Sequence, residues 1–214
     1  MASRIPQASI ERLCALHRTL KALGAEGREF ISSRELEERT GISAHTIRKD
    51  VSLFGLSAGS EVGYSIPALA EAIKRELGFG GNRRVCVVGL GRMGTAILNY
   101  PDFEAEGYIL AAGFDVNINR IELLVSSVPL FPAYEIPSRV QELGIELAIL
   151  AVPEQAVEDV AAKLVKGGIR GIVSFAPGTV RLPKEASGIY VRTVSVVEEL
   201  KILSSHISFE KRGV

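Results

Sequence analysis

The stretch Val85-Cys86-Val87-Val88-Gly89-Leu90-Gly91-Arg92-Met93-Gly94 runs four apolar residues directly into three glycines at GxGxxG spacing, and Thr95, Ala96, Ile97 and Leu98 follow in helical register. Strand, glycine turn and helix in that order form the first half of a dinucleotide-binding βαβ unit. Gly89 permits the tight turn, Gly91 lets the backbone approach a pyrophosphate, Gly94 lets helix pack on strand, and the start of the helix offers N–H donors to the anion. A second apolar run, Ile109 to Phe114, ends on Asp115, at about the 20-residue offset where a carboxylate meets the adenosine ribose. Such a carboxylate accepts hydrogen bonds from both ribose hydroxyls and repels a 2′-phosphate, so NAD(H) is favoured over NADP(H). Arg120 is the nearby cation that could serve a 2′-phosphate instead, the lesser reading.

Beyond this unit, short apolar strands alternate with helices: Val128 to Leu130, Leu147 to Val152, Gly171 to Phe175 and Tyr190 to Val194. Near-continuous apolar strands predict a parallel sheet covered on both faces. Val196 to Phe209 reads as a last helix with Val197, Leu200, Leu203 and Ile207 on one stripe, available to pack on a partner.

Upstream the pattern differs. Ile10, Leu13, Leu16, Leu20 and Leu23 recur at three- and four-residue spacing, the face of an amphipathic helix ending near Gly24. A second short helix is expected from Ser33, as its cap, through Leu36 to Thr40, and a third from Ser43 through Thr46, Ile47, Arg48, Lys49 and Asp50 to Phe54. Two helices joined by a turn at Gly41 have helix-turn-helix spacing. Leu56 to Ile66, with Gly59 and Gly63, has the composition of a β-hairpin, and Pro67 opens a helix ending at Leu77 and Gly78. A hairpin after such a pair makes a winged helix. The predicted fold is therefore α/β: a winged-helix domain over 1–78, a Gly-rich linker over 79–82, a Rossmann-type parallel-sheet domain over 83–194, and a C-terminal helix over 195–214 read as a dimer (swap) element.

At 214 residues the chain is long enough for two such domains. No apolar run is long enough to cross a bilayer, and charge stands at the N-terminus where a signal peptide needs apolar residues, so a cytoplasmic protein with no membrane partner is expected. Cys14 and Cys86 have no ligand or CxxC spacing; both are read as core residues, and no metal is expected. Residues 1–82 hold 11 Lys and Arg against 10 Asp and Glu, so any contact with DNA must come from local placement rather than bulk charge.

A hydride-transfer enzyme needs an acid or base beside its substrate. His17, His45 and His206 all lie outside the strand ends of the cofactor domain, and no Tyr-x-x-x-Lys pair exists. A dinucleotide domain joined to a DNA-binding domain suggests a sensor rather than an enzyme. Two other readings stay open: a small NAD-dependent reductase whose first domain only dimerises, and a DNA-binding protein answering to another nucleotide such as coenzyme A or ATP.

Several segments carry a more specific likeness. They are Ile5-Pro6, Ser32-Ser33-Arg34-Glu35-Leu36, Thr46-Ile47-Arg48-Lys49-Asp50-Val51-Ser52-Leu53-Phe54-Gly55, Val62-Gly63-Tyr64, Tyr100-Pro101-Asp102-Phe103, Phe114-Asp115-Val116, Ala151-Val152-Pro153, Gly168-Ile169-Arg170-Gly171-Ile172 and Phe175-Ala176-Pro177. Along nearly its whole length the chain resembles the bacterial Rex family of redox-sensing transcriptional repressors. The resemblance implies a homodimer on a palindromic operator of double-stranded DNA, released by NADH and permitted by NAD⁺. It implies a nucleotide site of Gly89, Leu90, Gly91, Arg92, Met93, Gly94, Tyr100, Asp115, Val152 and Pro153. For DNA it implies Arg48, Lys49 and Ser52 in the major groove, with Ser43, His45, Thr46, the wing residues Gly63 and Tyr64, and Arg12 as a further phosphate contact. Independently, an Arg reads guanine bidentately and a Lys does so or meets phosphate.

Three positions depart from the family pattern. Glu61 stands in the wing where a basic residue is usual, which predicts weaker or altered DNA binding. Ser126-Ser127 replaces a Gly-Gly. Ser195 stands where the family has an Asp that works with Arg18 and Tyr100 in the redox switch. NADH and NAD⁺ differ at the nicotinamide by one hydride and one charge, and Ser195 cannot sense that charge. Binding of NAD(H) with blunted redox discrimination is the expectation.

Overall fold

A computed structural model describes residues 5–55, 63–184 and 186–210. The chain divides into two units, Met1–Gly80 and Gly81–Val214.

In the first unit, helix α1 (Gln7–Ala25) buries Leu13, Leu16, Leu20 and Leu23, the predicted stripe, with Ser9 in place of the exposed Ile10. Cys14 lies about 100° round the helix from Leu13 and is exposed, contrary to the core reading. Strand β1 (Phe30–Ile31) precedes α2 (Ser33–Thr40), which is capped by Ser32, not Ser33: the Ser32 hydroxyl accepts the Glu35 N–H at 3.1 Å. Helix α3 (Ala44–Ser52) starts at the expected Ser43 cap, whose hydroxyl accepts the Thr46 N–H. Strand β2 (Tyr64–Ser65) leads into α4 (Ile66–Leu77) and pairs antiparallel with β1. The expected hairpin falls mostly on 56–62, outside the described residues; its described end pairs instead with β1, a strand too short to show periodicity. Leucines of α1 pack with Leu36, Ile47, Val51, Leu69 and Ile73 in one core.

The second unit is a six-stranded, all-parallel sheet in the order β5-β4-β3-β6-β7-β8. Its strands are β3 (Arg83–Val88), β4 (Tyr108–Asp115), β5 (Leu130–Pro132), β6 (Leu147–Leu150), β7 (Gly171–Ser174) and β8 (Tyr190–Thr193). Strand β5 begins at the last residue of the expected segment 128–130, because Leu130 is the first residue in register with β4, opposite Gly113. Helices α5 (Arg92–Leu98), α6 (Ile118–Leu123), α7 (Ile136–Glu142) and α8 (Val157–Lys166) connect the strands, and α9 (Val196–Glu210) closes the chain. Numbered within the unit, the strand order is 3-2-1-4-5-6, the doubly wound arrangement whose connections diverge at the central strand. Residues of α7 and α8 form the larger core with one face of the sheet, and Leu98 and Ile97 of α5 join the other. The expectation of two covered faces fails at β7 and β8, where Val173 and Tyr190 are exposed. Among the described residues no helix is long and apolar enough to cross a membrane.

Candidate functional site

The ends of β3, β4 and β6 lie side by side, with Val88 in register with Phe114 on one side and Leu150 on the other. The turn leaving β3 is pinned between its neighbours: Gly89 N–H donates to the Phe114 carbonyl, and Ala151 N–H to that of Val88, both at 2.8 Å. The three glycines of the turn have different reasons to be glycine. A Cβ at Gly89 would lie 2.4 Å from the Ala151 carbonyl oxygen, and one at Gly94 would lie 1.8 Å from the Gly89 oxygen. Around Gly91 there is nothing within 4 Å. The first two are required by the fold, whereas the third keeps its side open to a ligand.

This turn forms the floor of a cleft of about 550 Å³ lined by Gly89, Gly91, Arg92, Met93, Asp115, Arg120, Val152 and Pro153, with Ala133, Ala156 and Phe175. Of the residues expected at the nucleotide, Leu90 turns its side chain into the core, so only its backbone belongs to the site, and Gly94 acts beneath it. Tyr100 lies outside this cleft. It stands 57% exposed, edge-on to Phe103 at 5.9 Å between ring centroids, in an adjoining apolar groove that shares Met93 and Phe175 with the cleft. Two lining residues go beyond the sequence expectation: Arg120, the lesser reading there, and Phe175. The position of Phe175, just past the end of β7, was the available signal, since ligands sit beyond the carboxyl ends of parallel strands.

Asp115 lines the cleft but is only 3% exposed. One carboxylate oxygen accepts the Leu90 N–H at 2.7 Å and a guanidinium N–H of Arg120 at 2.9 Å, and the other accepts the Asn117 N–H at 2.8 Å. Burial pushes this carboxyl up, but the hydrogen bonds from Asn117, Leu90 and Arg120 outweigh it and leave the group below its ordinary value. Asp115 thus braces the glycine turn and presents Arg120, half exposed, at the rim. Burial pushes the Cys86 thiol up to about 12, so it stays protonated in the core. Ser195 caps α9, its hydroxyl accepting the Glu198 N–H at 3.2 Å. All described side chains of α9, including Val197, Leu200, Leu203 and Ile207, are exposed.

In the first unit α3 has two faces. Ile47, Asp50 and Val51 are buried, while His45, Arg48, Lys49 and Ser52 share the exposed stripe at i, i+3, i+4 and i+7. Arg48 donates to the Ser33 hydroxyl at 2.7 Å, and the Ser52 hydroxyl to the Lys49 carbonyl. Arg12, expected at a phosphate, is instead engaged with Asp50: its Nε donates to one carboxylate oxygen at 2.6 Å, and an Nη to the other at 3.0 Å. Tyr64, expected on DNA, is 5% exposed and packs in the core, since β2 turns it inward against α1 and α4. A Cβ at Gly63 would lie 2.4 Å from the Ile31 carbonyl oxygen, so close pairing with β1 accounts for that glycine. Glu61 and Val62 lie outside the described residues. Arg18 is exposed on α1 in the first unit; Tyr100 and Ser195 belong to the second. Among the described residues no group of His, Cys, Asp and Glu is placed to hold a metal.

Comparison with known proteins agrees with both halves of this geometry. Residues 4–52 match the family described as putative DNA-binding protein N-terminus, and residues 81–178 match the CoA binding domain family. A redox-sensing transcriptional repressor Rex of Roseiflexus sp. is 34% identical over 95% of this chain and 91% of its own; that of Thermus thermophilus is 36% identical over 86% of both. Among solved structures, a Rex-family repressor, RSP, in complex with β-NAD⁺ and operator DNA superposes with a TM-score of 0.87 at 29% identity, covering 98% of this chain and 95% of that one. RSP in complex with β-NADH gives 0.86 at 29% identity, covering 98% and 97%. The chain belongs to the Rex family of redox-sensing transcriptional repressors.

Proposed function

We propose that this protein is an NAD(H)-responsive repressor that binds a palindromic operator as a homodimer in the cytoplasm. The observation that carries the reading is the pairing, in one chain, of an open glycine turn at the sheet's switch point with a helix presenting Arg48 and Lys49 outward. Gly91 and the loop N–H groups take the pyrophosphate, and Asp115 and Arg120 stand at the adenosine ribose. Arg48 leaves Ser33 to read a base edge, Lys49 meets a base or phosphate, and Ser43, His45, Thr46 and Ser52 border them. Two such heads read half-sites roughly 34 to 36 Å apart, or a multiple of that.

The second copy is held through α9. Its apolar side chains are uncovered within one chain, and the same chain carries an apolar groove of about 570 Å³ lined by Met93, Ile97, Tyr100, Phe103, Val173 and Phe175. A helix and a groove on the same molecule complement each other across a two-fold axis. That arrangement brings Ser195 of one copy toward Tyr100 of the other.

The nucleotide shifts the DNA equilibrium only as far as it prefers one dimer arrangement over the other. A difference of about 1 to 3 kcal/mol suffices for a 5- to 150-fold effect. The match to the CoA binding family leaves a coenzyme A-type nucleotide as the second reading. A gel shift on the DNA upstream of the protein's own gene, with NAD⁺, NADH and coenzyme A added separately, tests both. Release by NADH more than by NAD⁺, with a modest margin between them and no effect of coenzyme A, is the expected result; release by coenzyme A alone selects the second reading, and no shift under any condition overturns the regulator.

A further inference from the structure

Among the described residues of the first unit, the Tyr64 phenol aside, the buried polar side chains are Ser9 and Asp50, and both belong to one cluster with Arg12. Asp50 sits on the inner stripe of α3 at 2% exposure, 38 residues from Arg12 in sequence, and takes two hydrogen bonds from that one guanidinium; the same guanidinium also donates to the Ser9 hydroxyl at 3.0 Å. The closest helix pairs in the unit are α1 with α4 and α2 with α3, so this clamp is a direct tie between α1 and α3.

A buried ion pair is a poor source of stability, because an apolar pair of similar volume does as well or better. What it supplies is direction: a planar fork on a carboxylate fixes distance and angle together. The outer stripe of α3 is set by the same rotation as the inner one. Turning Asp50 about the helix axis carries Arg48, Lys49 and Ser52 with it.

We propose that the Arg12–Asp50 clamp is a positioning device that sets the rotation of α3 against α1, and so the aim of Arg48 and Lys49 at the operator. It rests on the reading of α3 as the DNA-recognition helix. Neither Arg12 nor Asp50 touches DNA in the proposed complex.

The test measures operator and random-sequence affinity of full-length Arg12→Lys, Arg12→Gln and Asp50→Asn over a range of salt. Folding is checked by thermal melting, and the second unit by NADH binding. A clamp predicts that all three lose about tenfold or more of operator preference, with the salt slope of the wild type retained. Arg12→Lys should fare as badly as Arg12→Gln, since an ammonium cannot reproduce the fork. Asp50→Asn is the sharpest arm: removing a negative charge beside DNA should strengthen binding if charge alone mattered, and the clamp predicts the opposite. A phosphate contact at Arg12 would instead leave Arg12→Lys like wild type and lower the Arg12→Gln slope by about one, which overturns the proposal. Retained preference in all three overturns it too. If one variant is unfolded at the assay temperature, the folded ones decide. Wild-type protein that binds no DNA overturns the functional reading and this inference together.

Discussion

The Asp115 carboxylate accepts the backbone N–H of Leu90 at 2.7 Å, joining the end of β4 to the middle of the glycine turn. This makes the acidic residue of the cleft a brace of the glycine turn as much as part of the cleft lining. Asp115→Asn leaves the Leu90 N–H and Arg120 without their charged acceptor, a loss of about 1 to 3 kcal/mol for a buried donor stranded in this way. NADH affinity is expected to fall about 5- to 150-fold, measured by fluorescence titration, with operator binding in the absence of nucleotide unchanged.

Two buried carboxylates, Asp50 and Asp115, make stability depend on acid. Burial pushes Asp50 and Asp115 up, and their hydrogen bonds hold both below the ordinary value. A depressed folded-state value means that the contribution is complete above the unfolded value, about pH 3.9 for Asp, and is lost as pH falls through the lower folded one. Melting temperatures should therefore be flat from pH 7 to 5 with respect to these groups and drop below about pH 4. Replacing both residues with Asn should shrink that drop.

Gly91 and Gly94 should separate in their effects. An alanine at 94 collides with the Gly89 carbonyl, and overpacking of this kind costs about 1 to 3 kcal/mol, visible as a lowered Tm. An alanine at 91 meets nothing and has an ordinary φ of −68°, so Tm should hold while NADH binding weakens about tenfold or more. Equal melting temperatures for the two variants would contradict the assignment.

Leu200→Glu with Leu203→Glu should yield a folded monomer, since both side chains are more than half exposed in the single chain and each is worth about 1.5 to 3 kcal/mol once buried. Light scattering reads the outcome. Operator affinity should fall with the loss of the second head.

Ser195→Asp keeps a good helix cap and, on the proposed dimer, adds a charge facing the partner's nucleotide site. The ratio of NADH to NAD⁺ affinity should widen by up to the 5- to 150-fold that about 1 to 3 kcal/mol of coupling gives. Wild-type protein already preferring NADH by several orders of magnitude would defeat this expectation.

Both units were legible wherever a local pattern carried the information. A glycine turn after an apolar strand, the Pro67 helix start and the Ser43 cap each involve neighbours in sequence, and each appears where expected. What escaped depended on partners far along the chain. The tie of Arg12 to Asp50 escaped because the two are 38 residues apart. The burial of Tyr64 escaped because the strand that β2 pairs with, β1, is only two residues long. The carboxylate of Asp115 was recognised, but not its work within the turn, because the Leu90 N–H is 25 residues distant. Cys14 and Ile10 show the limit of periodicity, which locates a buried stripe without fixing its edges.

Helix α9 has a genetic consequence. On the proposed dimer it is a part that each chain gives away and cannot use itself. A chain truncated before Val196 keeps its groove and still receives a helix from an intact chain, but returns none. In a cell expressing both forms, intact chains are drawn into half-built pairs, so truncation is expected to be dominant over the wild type.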